Sequence, residues 1–483
     1  MNHKIVSYMV GRILHIEALL MLLPLAVSLI YREKTYMAFL IAVLIALAIG
    51  ILLTKVFGRN DSMIFAKEGF AIVALAWITM SLIGALPFWI SKEIPSYVDA
   101  VFETVSGFTT TGASIVPAID EMSYGLLFWR SFTHWIGGMG VLVFVMAIFP
   151  QESGRSIHIM RAEVPGPSVG KLVPKIRETA KILYVIYIVM TAIQIILLLV
   201  GGMPLFDSIV HTFGTAGTGG FGIKNNSIGG YSPYLQWVIA VFMVLFGINF
   251  NLYYLIIIKH FKSAIRSTEL WVYLGIISAS TAVIATNVYS SIGSVGDSIR
   301  AAFFQVSSII TTTGFSTVDF NLWPTFSKTI LIILMFIGAC AGSTGGGIKV
   351  SRFIIVIKTI RRDIKRMLHP RSVGTVKYEG KTVDSQTING VSVYFAIYFI
   401  LFLAIFLLLS LETGEVFDVE TNFTAAAACF NNIGPGLGGV GPMSSFAAYS
   451  PLSKIVLSIA MLLGRLDIYP ILLVFTPVFW KRK

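Results

Sequence analysis

Charged side chains are scarce in this chain, at 12% of its 483 residues. Soluble domains carry about 25%. Cysteine is nearly missing too: Cys340 and Cys429 stand far apart in apolar surroundings. That excludes a disulfide scaffold and a cysteine metal cluster, and leaves two packing thiols. No H-E-x-x-H and no paired-carboxylate arrangement occurs. Two stretches match G-x-G-x-x-G, at Gly217–Gly222 and Gly436–Gly441, but neither opens a strand–turn–helix unit, so neither marks a dinucleotide site. GSTGGGIK at 342–349 shares only composition with a phosphate loop, because its spacing fails. These absences exclude an enzyme. What the chain has is apolar: 56% hydrophobic residues and a mean hydropathy of +0.82. It reads as an all-α polytopic membrane protein.

A bilayer core of about 30 Å needs about 20 apolar residues per helix. Spans are expected near 13–31, 36–56, 69–91, 126–149, 180–203, 233–258, 270–290, 329–358, 388–411 and 453–478. Ten spans put both termini on one side. Lys4 and Arg12 precede the first apolar run and no small-residue cleavage site follows it, which indicates an uncleaved helix rather than a signal peptide.

The net charge is +12. With cytoplasmic termini, the inner segments hold 26 Lys+Arg against 9 Asp+Glu, and the outer ones hold 8 against 13. The opposite orientation breaches the positive-inside rule. The basic excess is thus a topology signal and gives no reason to invoke nucleic acid. The acidic outer face would concentrate cations at an entrance. The tract Arg361, Arg362, Lys365 and Arg366 reads as an inner loop, with two roles open: an anchor at anionic headgroups or a docking surface for a cytosolic partner. The inner loop 155–181 is a second docking candidate.

Four outer connections share one plan. They read Asp99-AVFETVSGFTTTGAS, Asp207-SIVHTFGTAGTGGFG, Asp297-SIRAAFFQVSSIITTTGFS and Glu420-TNFTAAAACFNNIGPGLG. Each is an acid-led apolar stretch too short to cross, followed by small residues and glycine. The acidic residue suits a helix N-terminus. The helix then turns its negative C-terminal end inward, where it favours a cation. Non-helical backbone at membrane depth survives only where it is buried or lines water. Four such loops about one axis would form a ring of carbonyl oxygens able to replace an ion's hydration shell. In a single loop, glycine for close helix packing is an equal reading. Four copies favour the ring.

The plan resembles the Trk/Ktr/HKT superfamily of cation transporters. SGFTTTGAS, HWIGGMG (134–140), ITTTGFS (310–316), GSTGGGIK, NNIGPG (431–436) and LGRLDIYP (463–470) resemble its bacterial Trk-system branch, the TrkH/TrkG type, over essentially the whole chain. The resemblance implies potassium as the transported ion and a selectivity filter built from Thr110, Thr111, Gly112, Thr218, Gly219, Gly220, Thr312, Thr313, Gly314, Asn432, Ile433 and Gly434. In the second loop Gly219 competes with Gly220, which is preferred because Phe221 then matches Phe315, and in the fourth Gly436 competes with Gly434. It further implies a bacterial inner-membrane homodimer and a cytosolic nucleotide-binding ring subunit of the TrkA type, with no nucleotide bound by this chain. Pseudo-fourfold repeats would then occupy 68–155, 156–262, 263–381 and 382–483, after an extra helix pair in 1–67. A channel-like uptake protein and a secondary transporter coupled to protons or sodium both remain open.

Two features lie beside the loops. Gly338, Gly342, Ser343, Thr344, Gly345, Gly346 and Gly347 interrupt the eighth span. Each glycine costs a helix about 1 kcal/mol relative to alanine. The stretch is either a mobile gate, as the resemblance implies, or a packing face. Arg465 lies within the last span, where an arginine costs at least about 2.5 kcal/mol. It is either an electrostatic barrier in the pore or a structural pair with a backbone carbonyl, or with Asp467 through a kink at Pro470. His134 reads as packing. Glu103, His211 and Gln305, each nine residues before a loop glycine, read as supports for the short helices.

Overall fold

The computed structural model describes residues 1–58, 65–140, 176–372 and 374–480. Helix α1 (His3–Ile30) turns into α2 (Tyr36–Phe57). The two close on each other through small residues: a Cβ at Gly11 would lie 3.0 Å from the Gly50 carbonyl. α1 begins ten residues before the expected span. Ile5, Val6 and Met9 are buried in the core, and the Asn2 N–H donates to Glu68 at 3.1 Å, so the polar start is part of the packed helix.

α3 (Ala66–Gly84) continues as α4 (Leu86–Ile90), then the short α5 (Tyr97–Phe108) and α6 (Tyr124–Gly138). The rest of the expected 126–149 span and the 155–175 part of the inner loop lie outside the described residues. α7 (Ile176–Val200) leads to the short α8 (Leu205–Ala216), α9 (Pro233–Phe246), α10 (Phe250–Ile257) and α11 (Phe261–Ile265). α12 (Thr268–Ile292), the short α13 (Val295–Ile310), α14 (Thr325–Phe336) and α15 (Val350–Leu368) follow. A two-stranded antiparallel hairpin, β1 (Lys377–Tyr378) with β2 (Lys381–Thr382), precedes α16 (Ser385–Leu409), the short α17 (Val419–Phe430), α18 (Pro451–Arg465), α19 (Tyr469–Val474) and α20 (Pro477–Trp480).

Among the described residues, six helices are long and apolar enough to cross a membrane: His3–Ile30, Tyr36–Phe57, Ala66–Ile90, Ala180–Val200, Thr268–Ile292 and Ser385–Leu409. Three expected spans are not single helices. The 233–258 span is the pair α9 and α10, bent by 90°. Gly247 fits against the Tyr273 hydroxyl, and the Asn249 side chain accepts the Asn251 N–H at 2.9 Å, which starts a new helix. The 329–358 span stops at Phe336 and resumes at Val350. The 453–478 span breaks at Leu466–Ile468, where Asp467 and Ile468 take φ of 58° and 69°. Pro470 has no N–H for the Leu466 carbonyl and its ring would clash there. The tract 361–366 is not a loop either: it occupies the later turns of α15, with Arg361, Lys365 and Arg366 exposed.

Candidate functional site

The four short helices α5, α8, α13 and α17 stop alike, and all but α8, which follows Pro204, start on a side-chain cap. Ser96, Ser294 and Asp418 cap three of them, accepting from the N–H groups of Asp99, Asp297 and Thr421. In the fourth repeat the cap is therefore Asp418, just ahead of the expected Glu420. Each helix ends on a non-glycine residue in the left-handed region: Thr110 (φ 54°), Thr218 (54°), Thr312 (58°) and Asn432 (57°). The next N–H closes back five residues: Thr111 to the Ser106 carbonyl (2.9 Å), Gly219 to Gly214 (2.8 Å), Thr313 to Ser308 (2.8 Å) and Ile433 to Ala428 (2.8 Å). This is a Schellman closure without its customary glycine. For a β-branched threonine it costs about 1–2 kcal/mol.

The glycines come next, with φ of 79° at Gly112, 73° at Gly220, 86° at Gly314 and 99° at Gly434. Their matching place in the turn gives Gly220 and Gly434, rather than Gly219 and Gly436, the same backbone geometry as Gly112 and Gly314. A Cβ on Gly112 would strike the Gly219 carbonyl oxygen; on Gly220, that of Thr313; on Gly314, that of Ile433; and on Gly434, that of Thr111 at 2.8 Å. First loop meets second, second meets third, third meets fourth and fourth meets first. The loops close a ring whose contacts are backbone carbonyls, not helix faces. A cavity of about 360 Å³ adjoins it, with all four glycines in its wall. Its charged lining residues are Arg130 and Lys224. No carboxylate lines it among the described residues.

Side chains brace the ring. Glu103 accepts from the Ile115 N–H (2.9 Å), the Ser114 hydroxyl (2.9 Å) and Arg130 Nε (2.6 Å). Arg130 also donates to the Gly222 carbonyl (3.0 Å) and stacks on Phe221 at 3.9 Å, joining the first loop to the second. His134 lies between them, with Nδ1 at 2.7 Å from the Gly107 carbonyl and Nε2 accepting the Phe221 N–H at 3.3 Å. Asn432 Nδ2 donates to Thr111 Oγ1 at 2.9 Å, joining fourth to first. His211 Nδ1 contacts only its own helix, at the Asp207 carbonyl (2.8 Å), and Gln305 has no partner among the described residues. Of the three expected supports, Glu103 alone ties separate segments together by hydrogen bonds, while the His211 ring packs against Tyr231 and Phe315.

The 337–349 segment lies against the third and fourth loops. The Gly346 N–H donates to Thr312 Oγ1 at 2.6 Å, and a Cβ there would lie 2.8 Å from the Asn431 carbonyl. Gly338 donates to the Ile348 carbonyl at 2.8 Å, which closes the segment on itself, and the Gly342 carbonyl accepts the Phe250 N–H at 3.0 Å. Arg465 reaches it, donating to the Thr344 carbonyl (2.9 Å) and to the Gly137 (2.6 Å) and Gly138 (2.8 Å) carbonyls at the end of α6. Asp467 instead pairs with Arg352 through both carboxylate oxygens, Nη1 to Oδ1 at 2.6 Å.

Ring, glycine segment and arginine belong to one arrangement, and the comparisons give it a family. The TrkH family model, described as a cation transport protein, matches residues 35–482. The chain belongs to the TrkH family. It is 37% identical over 492 residues to the Trk system potassium uptake protein TrkH of Salmonella typhimurium, covering all of both chains. It is 35% identical over 484 residues to TrkG of Escherichia coli, covering 99% of each. The crystal structure of the potassium transporter TrkH from Vibrio parahaemolyticus superposes with a TM-score of 0.89 at 33% identity, covering 100% of both chains. A TrkH-family chain is a membrane transport protein, not an enzyme.

Sequence reasoning missed two members of this TrkH-family site, Arg130 behind the ring and Lys349. Lys349 is buried and folds back to donate to the Gly345 and Gly346 carbonyls of its own segment. A lysine at the edge of a glycine run inside an apolar stretch was the available signal.

Proposed function

We propose that this chain takes up potassium across the bacterial inner membrane, channel-like, through the ring formed by its four loops. The cyclic contact of Gly112, Gly220, Gly314 and Gly434 with neighbouring carbonyls supports this reading most directly. Oxygens fixed by tight turns can replace the hydration shell of a dehydrated cation, and four helix C-termini add negative potential there. Ten crossings and four pseudo-fourfold repeats (68–155, 156–262, 263–381, 382–483) follow the extra pair in 1–67, with both termini cytoplasmic. Residues 338–347 gate the path from the inner side, with Arg465 as a cationic barrier beside them. The chain works as a homodimer with a cytosolic nucleotide-binding ring subunit of the kind the Trk system implies, docked in part on Arg361, Arg362, Lys365 and Arg366. The chain itself binds no nucleotide, and potassium is its substrate.

Reconstituted flux of potassium, rubidium and sodium, with a pH readout, tests the reading. A channel gives potassium flux down its own gradient with no proton movement. Flux that reverses with a proton or sodium gradient, at fixed potassium gradient, would establish the coupled transporter instead.

A further inference from the structure

Glu269 stands in the first turn of α12, only 3% exposed, and its two carboxylate oxygens face different parts of the chain. Oε1 accepts the Ala341 N–H at 2.8 Å and the Ser351 N–H at 3.1 Å. Those donors are ten residues apart and bracket the glycine-rich stretch 342–347. Oε2 accepts the Tyr378 hydroxyl at 3.1 Å. Tyr378 closes β1, and the hairpin turns through Glu379 (φ 48°) and Gly380 (φ 75°), the two left-handed residues of a type I′ turn. Glu379 returns the contact, accepting from the Glu269 N–H (3.1 Å) and the Ser267 hydroxyl (3.2 Å). Lys358 of α15 donates to the Lys377 carbonyl at 2.8 Å, so the hairpin is tied to the helix that carries the basic tract.

A segment this rich in glycine has few side chains with which to hold its place. Its position depends on what its backbone bonds to. One buried oxygen serving both flanks fixes their separation, and the second oxygen makes that grip sensitive to a hairpin outside the apolar layer. We propose that Glu269 is a positioning residue for the 338–347 segment, and that the Lys377–Thr382 hairpin transmits the displacement of a docked cytosolic protein to it through Tyr378. The inference rests on the reading of 338–347 as the gate.

The test uses the full chain in proteoliposomes without any partner, reading potassium flux and the potassium-to-sodium flux ratio. Glu269→Ala frees both flanks and is expected to raise basal potassium flux on the order of tenfold, at an unchanged flux ratio. Glu269→Gln keeps an oxygen for Ala341 and Ser351 and should return most of the way to wild type. Tyr378→Phe removes one hydroxyl at the periphery and should give a smaller rise. It carries the test if Glu269→Ala does not fold. Wild-type flux in Glu269→Ala and Tyr378→Phe, beside raised flux in a chain with a shortened 338–347 segment, overturns the role of Glu269 and leaves the gate standing. Wild-type flux in all three overturns the gate, and the role of Glu269 with it. A fall in the flux ratio marks general loosening of the ring and also counts against the proposal.

Discussion

A methyl group on Gly112 would meet the Gly219 carbonyl oxygen, and its φ of 79° is one that other residues hold only at about 1–2 kcal/mol. Gly112→Ser should therefore push that carbonyl outward and lower the potassium-to-sodium flux ratio by roughly an order of magnitude, since a displaced ligand no longer matches the ion it replaced water around. An unaltered ratio in vesicles would mean the carbonyls do not discriminate. Behind the ring, Arg130 and Glu103 form a fully buried pair at 2.6 Å. Arg130→Met leaves Glu103 charged without its partner, a loss of about 3–5 kcal/mol. Thermal unfolding in detergent should show it as a clear drop in Tm, partly restored by adding Glu103→Leu. A single variant as stable as wild type would show the pair to be idle.

Among the elements, the 337–349 segment is the one whose form is least like its apolar neighbours. Arg465 binds its Thr344 carbonyl and, from the other side, the carbonyls of Gly137 and Gly138. Arg465→Ala removes both the tether and the positive charge, so it should raise conductance and reduce rectification; unchanged currents would reduce Arg465 to packing. The short acid-led helices and the glycine breaks were legible because local chemistry dictates them: a cap, an apolar face, a run of residues poor in helix propensity. The bend between α9 and α10 was not. Its sequence is apolar apart from Gly247, Asn249 and Asn251, too little to predict a 90° turn, and the break depends on Gly247 fitting against the Tyr273 hydroxyl and on the Asn249 cap. The partners of Arg465 were equally hidden, since Gly137 and Gly138 lie more than three hundred residues earlier in the chain. Gly220 was already preferred to Gly219 in the sequence, because Phe221 then matches Phe315, and its φ of 73° gives it the backbone geometry of Gly112 (79°) and Gly314 (86°).

On the scale of the whole molecule, charge is divided rather than spread. The proposed inner segments hold 26 Lys+Arg against 9 Asp+Glu, a division that composition and span order made legible. What that excess would do beyond the proposed orienting of the chain depends on α15. Helix formation there sets Arg361, Lys365 and Arg366 outward on its last turns, with Arg362 held beside Asp363 at 2.8 Å. A rigid helix presents its cations at fixed spacing, which suits an acidic protein surface better than a fluid headgroup layer does. Exposed charge pairs weaken over a Debye length of about 8 Å at physiological salt and about 3 Å at 1 M. Co-purification of the nucleotide-binding ring subunit with the wild-type chain should therefore decline as salt rises. Reversing all four residues to glutamate should abolish it even at low salt, because like charges then face each other. If the reversed chain still brings the subunit down at low salt, the tract is a lipid anchor and docking lies elsewhere on the inner face.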